Sequence, residues 1–138
     1  MEGIEWIKAG EQTLAVIIRA GVEFPQTTFI TPPEFTQQGG FVVYPKGGQV
    51  ATHCHRPIER HLNGTSETLF IRKGKALLKL YDDQRKLVAE RTIATGDILM
   101  LVSGGHGLTM LEDTVLFEIK QGPYTGLDEK ERFDDPSQ

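Results

Sequence analysis

Glycine and proline punctuate this chain so often that no long helix fits between them. Fifteen glycines and seven prolines divide the 138 residues into short apolar or alternating runs, the pattern of many strands joined by turns rather than of long amphipathic helices. An all-β fold is therefore predicted. The candidate strands are Leu14 to Arg19, Phe41 to Tyr44, Val50 to His55, Glu67 to Arg72, Lys75 to Tyr81, Lys86 to Ile93, Ile98 to Val102 and Thr114 to Lys120. Within the fifth of these, Ala76, Leu78 and Leu80 share one face and Lys75 and Lys79 the other, as a half-buried strand requires. Asp82-Asp83-Gln84-Arg85 then reads as a hairpin turn. Short strands at such spacing suggest a closed barrel or a sandwich, which deal with exposed strand edges by curling or stacking the sheet. Outside the strands, Met1 to Gly10 reads as containing a helical turn, Thr31 to Phe35 as a loop or short helix start, and acid-rich Leu127 to Gln138 as a solvated or flexible tail.

A length of 138 residues suits one domain with one core. Hydrophobic residues make up 38% of the chain and charged residues 25%, ordinary values for a globular protein and too apolar for disorder. The net charge is −4, and the 15 Lys and Arg are scattered among 19 acids, so no basic stripe exists to neutralise a phosphate backbone and nucleic acid is not an expected partner. No apolar run approaches the roughly 20 residues that span a bilayer. The start, Met1-Glu2-Gly3-Ile4-Glu5, lacks the charge and apolar centre of a signal peptide. A cytoplasmic protein without membrane contact is expected. Cys54 is the single cysteine, which excludes an internal disulfide and a thiolate zinc cluster. A bound metal would have to rely mainly on His and carboxylate.

Of the four histidines, three lie in Thr52-His53-Cys54-His55-Arg56-Pro57-Ile58-Glu59-Arg60-His61. On a strand, His53 and His55 would share a face about 6.6 Å apart, close enough for two imidazoles to converge on one ion, with Cys54 pointing away. Taken alone, the pair reads equally as two surface or hydrogen-bonded histidines. Downstream, Glu67 opens the run Glu67-Thr68-Leu69-Phe70-Ile71-Arg72-Lys73-Gly74. If Leu69 and Ile71 face the core, period two turns Glu67 inward as well, where a carboxylate is costly unless paired or bound to a cation. Its plainer role is a rim residue reaching solvent. The fourth histidine follows Gly96-Asp97, the apolar run Ile98 to Val102 and Ser103-Gly104-Gly105, whose glycines make a tight turn that would present His106.

These segments resemble the two motifs of the cupin superfamily. The first runs Gly, five residues, His-x-His, a short gap, Glu, six residues, Gly, and is matched by Gly47 or Gly48, His53, His55, Glu67 and Gly74; the second is matched from Gly96 to His106. The resemblance covers roughly residues 40 to 120. It implies a double-stranded β-helix (jelly-roll) barrel whose His53, His55, Glu67 and His106 hold one divalent metal ion. Two departures stand out. Eleven residues separate His55 from Glu67 where the family has three or four, so Arg56 to Ser66 would form an inserted loop, and Glu59 competes with Glu67 for the carboxylate role. Val102 stands where the family has proline, one residue nearer its histidine. His61, in the inserted loop, is either exposed or placed to cap the metal or line the entrance. The Gly104 to Gly107 turn and Lys120-Gln121-Gly122-Pro123-Tyr124 look like those of small cupins associated with bacterial surface-polysaccharide and unusual-sugar biosynthesis.

An ion held by three imidazoles and a carboxylate would be Fe, Mn, Zn, Ni or Co, with open positions for a ligand's oxygen atoms. The function expected from the resemblance is a metalloenzyme, an isomerase or oxidoreductase acting on a small polar molecule such as a sugar or oxyacid. Its pocket would be walled by Phe41, Val43, Leu69, Ile71 and Phe117, with Tyr44, Lys79 and Glu118 as polar candidates. Two alternatives stay open. One is a non-catalytic metal- or sugar-binding module. The other is a metal-independent sugar-nucleotide epimerase or isomerase using the histidines as acid and base, with Arg56, Arg60, Lys46 and Lys120 for the diphosphate. A homodimer is expected from the resemblance and from the frequency of two-fold pairs.

Overall fold

The computed structural model describes residues 1–137, with the side chains of Leu127 and Asp128 excepted. Its elements are β1 (Ile4–Ala9), β2 (Gln12–Ile18), β3 (Thr28–Phe29), β4 (Gly40–Phe41), β5 (Glu67–Lys73), β6 (Lys75–Tyr81), β7 (Leu87–Ala94), β8 (Ile98–Leu101), β9 (Gly105–Met110), β10 (Val115–Lys120) and a 3-10 turn at Gly126–Glu129. The described chain is all-β and holds no α-helix. No helix among the described residues is long and apolar enough to cross a membrane. The strands form three antiparallel sheets rather than a closed barrel. Two compact units are distinguished, one of Met1–Val22 with Thr65–Gln138 and the other of Glu23–Gly64.

The larger unit is built on a five-stranded sheet in the order β1-β2-β8-β5-β10 and a three-stranded sheet in the order β7-β6-β9. Their inner faces share one core. Leu14, Ala15 and Ile17 of β2, Leu69 and Ile71 of β5 and Leu99 and Leu101 of β8 meet Ala76, Leu78 and Leu80 of β6 and Ile93 of β7. Each large side chain among them contributes about 1.5–3 kcal/mol by leaving water. The alternation expected between Lys75 and Tyr81 is observed, with Ala76, Leu78 and Leu80 buried and Lys75 exposed. The chain leaves β5 for β6 through Gly74 alone, whose φ of +99° suits glycine. The hairpin turn is confirmed as well: the Asp82 carboxylate accepts hydrogen bonds from the backbone of Gln84 and Lys86, both at 2.9 Å.

Two sequence expectations give way in this unit. Met1 to Gly10 holds strand β1 in place of a helical turn, pairing with β2 from Ile4↔Ile18 to Ala9↔Gln12. Ile4, Trp6 and Ile7 favour a pleated surface, and Ile7 is buried in the core. Gly105–Met110 is a full strand, so His106 stands on β9 opposite Leu80 rather than on the glycine turn itself.

In the smaller unit β3 and β4 pair as Thr28↔Phe41 and Phe29↔Gly40, and Phe24 packs on Phe41 with ring centroids 4.8 Å apart. The strand expected over Phe41 to Tyr44 is cut to its first residue. Beyond it, the Val43 N–H donates to the Thr27 hydroxyl at 2.9 Å in place of a ladder partner. The strand expected over Val50 to His55 is not formed, and residues 48–63 have no regular structure. Val50, Ile58 and Leu62 in this stretch stay exposed, so little apolar burial offsets the entropy of ordering a strand there.

Candidate functional site

β5 and β10 run side by side with Glu67 opposite Lys120 and Glu118 opposite Leu69. Directly paired residues share a face, so the register that turns Leu69 into the core also turns Glu67 and Glu118 toward the inside. On the facing sheet, β9 pairs with β6 so that His106 shares the face of buried Leu80. The two strands deliver Glu67 and His106 to one place, with the Glu67 Oε2 3.5 Å from the His106 Nε2. Glu67 is largely but not fully buried and the His106 side chain is about one-third exposed. The turn that feeds His106 requires Gly104, at φ +71°, because a side chain there would strike the Tyr81 carbonyl oxygen.

Around this contact lies a cavity of about 780 Å³, lined among others by Leu69, Lys79, Tyr81, Leu116 and Glu118. Lys79 and Glu118, expected as polar pocket residues, are both in its wall. Phe117 is not on that face. It points away, largely exposed, and meets Phe70 at 6.2 Å between centroids. Ile71 belongs to the sealed core, whereas Phe41, Val43 and Tyr44 belong to the smaller unit.

Burial pushes the Glu67 carboxyl above the usual range, and the neighbouring Glu118 carboxyl, through its charge and a hydrogen bond, pushes it further. Burial likewise lowers the His106 imidazole, helped by the Lys130 charge and opposed by Glu118. The contact is thus between a carboxyl biased to hold its proton and an imidazole biased to be neutral. A divalent cation would suit both. Neutral imidazole is the ligating form, and added positive charge relieves a crowded carboxyl pair.

The other two sequence-predicted ligands lie in the smaller unit. His53 and His55 are exposed, with rings 5.1 Å apart edge to face. The His53 Nδ1 is 2.7 Å from the Ala51 carbonyl oxygen. A carbonyl only accepts, so Nδ1 carries the hydrogen, as in metal-binding histidines that donate one ring N–H to a carbonyl. Glu59, the rival carboxylate, is exposed and 3.9 Å from an equally exposed His61. Among the described residues, no group of three or more His, Cys, Asp or Glu side chains is assembled that could hold a metal ion. In donor chemistry, the Glu67 carboxylate and the His106 imidazole fit a borderline divalent ion.

The C-terminal segment, expected to be a solvated tail, instead forms a strap along this cavity, with residues 129–133 and Asp135 in its wall; Leu127, Asp128 and Gln138 of that expectation lie outside the described side chains. Ion pairs hold it: Lys120 to Glu129 at 2.6 Å, Arg85 to Glu131 at 2.6 Å and Lys79 to Asp135 at 2.8 Å. Phe133 packs edge-on against Tyr81 at 5.2 Å, under the Arg85 guanidinium. Only the acid-rich composition was legible beforehand, because the cations that meet Glu131 and Asp135, Arg85 and Lys79, are far away in sequence. Lys120, one candidate for a diphosphate, is engaged by Glu129 and lies over the Tyr124 ring at 4.4 Å.

The hydrogen bond from Lys79 holds the Asp135 carboxyl well below its usual range, with Ser137 adding to the effect. The bond from Lys120 lowers Glu129 in the same way. Both folded values lie below the unfolded ones, so the strap's ionic contribution is complete above the ordinary carboxylate range near about pH 4. It is lost only as pH falls through the depressed values. The Phe133–Tyr81 contact, followed by NMR, is expected to persist at pH 4 in the wild type and to weaken at neutral pH in Lys79→Met. Equal loss of the contact in both proteins as pH approaches 4 would count against these pairings.

Comparison of the chain with family models, with curated proteins and with solved structures finds no match.

Proposed function

We propose that the protein is a small metal-binding cupin with a jelly-roll barrel, an enzyme that acts on a small polar molecule such as a sugar or oxyacid. The observation that carries this reading is the meeting of Glu67 and His106, 3.5 Å apart, since each was singled out in sequence by a separate motif. A cavity of mixed polar and apolar lining around the pair adds support. Glu67 and His106 would ligate the ion, which would act as a Lewis acid toward a carbonyl or hydroxyl oxygen of the ligand; His53 and His55 are the further ligands that the motif resemblance implies. Glu118 and Tyr81 would hydrogen-bond the ligand's hydroxyl groups, while Leu69 and Leu116 would keep water from the floor.

Elemental mass spectrometry on untagged protein tests the assignment. One equivalent of Fe, Mn, Zn, Ni or Co is expected in the wild type and in Glu59→Gln. At least about a tenfold lower affinity is expected in His53→Ala, Glu67→Gln and His106→Ala. A wild type that stays metal-free after reconstitution would overturn the metal reading and favour acid–base chemistry by the same side chains.

A further inference from the structure

The strap places carboxylates and cations in alternation. Glu129, Glu131 and Asp135 each meet a cation of the sheets or of their connecting turn, namely Lys120, Arg85 and Lys79. Phe133, in step with them, packs on Tyr81. Between these anchors stand Lys130 and Arg132, which also line the cavity. Among the described residues neither is within ion-pair distance of a carboxylate; both are exposed, and the Lys130 ammonium stands 5.9 Å from the Tyr124 ring. The remaining cation in the wall, Lys79, is bound on two sides, by Asp135 at 2.8 Å and Glu90 at 3.5 Å. Glu67 and Glu118 give the cavity an acidic patch, and the strap, itself anchored, carries two exposed cations beside it, of which Lys130 acts through its charge on both Glu67 and His106.

We propose that Lys130 and Arg132 form an oxyanion subsite, so that the natural ligand carries a carboxylate or phosphate group beside its hydroxyl-bearing part. This rests on the reading of the Glu67–His106 cavity as the ligand site. The guanidinium fork suits two oxygens of a carboxylate or phosphate, and the ammonium adds a point charge. The strap's anchors fix the backbone that carries both cations before the ligand arrives, so ligand binding has only the two side chains left to order. A neutral sugar would leave both cations without a partner and gain nothing from them.

Calorimetric titration of the metal-loaded full chain with three probes tests the subsite: glucose, glucuronate and glucose 6-phosphate. At least one anionic probe is expected to bind the wild type about tenfold or more tightly than glucose, as a charge-assisted pair of hydrogen bonds implies. Which anion is preferred separates carboxylate from phosphate. The double variant Lys130→Gln/Arg132→Gln is expected to lose that preference and to keep the wild-type metal content and unfolding midpoint. Lys130→Glu/Arg132→Glu is expected to reverse it. Equal affinity for charged and neutral probes, binding of none of the three, or a preference that survives the double substitution would each overturn the subsite. A metal-free wild type that still loses anion preference on substitution would overturn the metal site alone, whereas a metal-loaded wild type without anion preference would overturn the subsite alone.

Discussion

Replacement of Asp97 by alanine is expected to destabilise the larger unit by about 2–4 kcal/mol, the loss that follows when the donors gathered on a buried carboxylate lose their acceptor. Asp97 is the one buried charged side chain among the described residues. Its Oδ1 accepts from the Ala20 N–H at 3.0 Å, and its Oδ2 accepts from the Ala94 N–H at 2.9 Å and the Arg19 Nη1 at 3.0 Å. The backbone of the same residue is engaged as well, its carbonyl accepting from Ile71 at 3.0 Å. The carboxylate thus ties the residues just after β2 to the end of β7, and the backbone carbonyl adds β5. Alanine would leave two backbone donors and a guanidinium without their acceptor, and each orphaned donor costs about 1–3 kcal/mol where water cannot reach it. Arg19 recovers part of this through its bond to the Thr92 carbonyl oxygen at 2.7 Å and its own exposure. Asp97→Asn keeps one acceptor oxygen and is expected to cost about 1–2 kcal/mol. Urea unfolding measures both, with an unchanged slope marking a change of stability alone. A loss below about 1 kcal/mol in Asp97→Ala would show that the turn tolerates rearrangement and that the network is not a keystone.

What the sequence disclosed and what it hid follow from the range over which each signal acts. Period two reported the face of Glu67, because its carboxylate continues the buried positions Leu69 and Ile71 on a strand held from both sides by β8 and β10. The same rule, applied strictly to β10, separates Phe117 from Glu118: adjacent strand residues cannot both face a pocket. Partner register decided between them, since Glu118 lies opposite buried Leu69. His53 and His55 show the opposite limit. Their alternation looks like a strand in sequence, yet a strand needs a ladder and a buried face, and their segment has neither among the described residues. The strap was hidden for another reason. Its acids acquire meaning only through Arg85, Lys79 and Lys120, which no local pattern connects with them.

Gly74→Ala is expected to cost about 2–4 kcal/mol, as much as a substantial core truncation, although only a methyl group is added. Two independent effects combine. A φ of +99° is a conformation that side chains with a Cβ rarely adopt, and the added carbon would stand 2.5 Å from the Thr114 Oγ1 and 2.7 Å from the Thr114 Cα, besides striking the Asp113 carbonyl oxygen. None of these neighbours can easily retreat. The Thr114 hydroxyl is bonded to the Lys75 carbonyl at 3.1 Å and accepts from the Lys75 N–H at 3.2 Å, while Gly74 itself exchanges backbone bonds with Thr95, at 3.0 Å to the hydroxyl and 3.0 Å from the amide. Gly107→Ala is the control, because its position has open space and no left-handed φ; a change within about 1 kcal/mol is expected there. Chemical denaturation of the two variants beside wild type decides the matter, and comparable losses would refute the steric account. The expected contrast gives the six-residue spacing from Glu67 to Gly74 a physical meaning. Gly74 is where the chain crosses from one sheet to the other, so it fixes the end of β5, and by counting back along the strand it fixes where Glu67 enters the cavity. The number of residues from Glu67 to the crossing is unchanged in Gly74→Ala, so the protein that still folds is expected to keep the Glu67–His106 contact even as its stability falls.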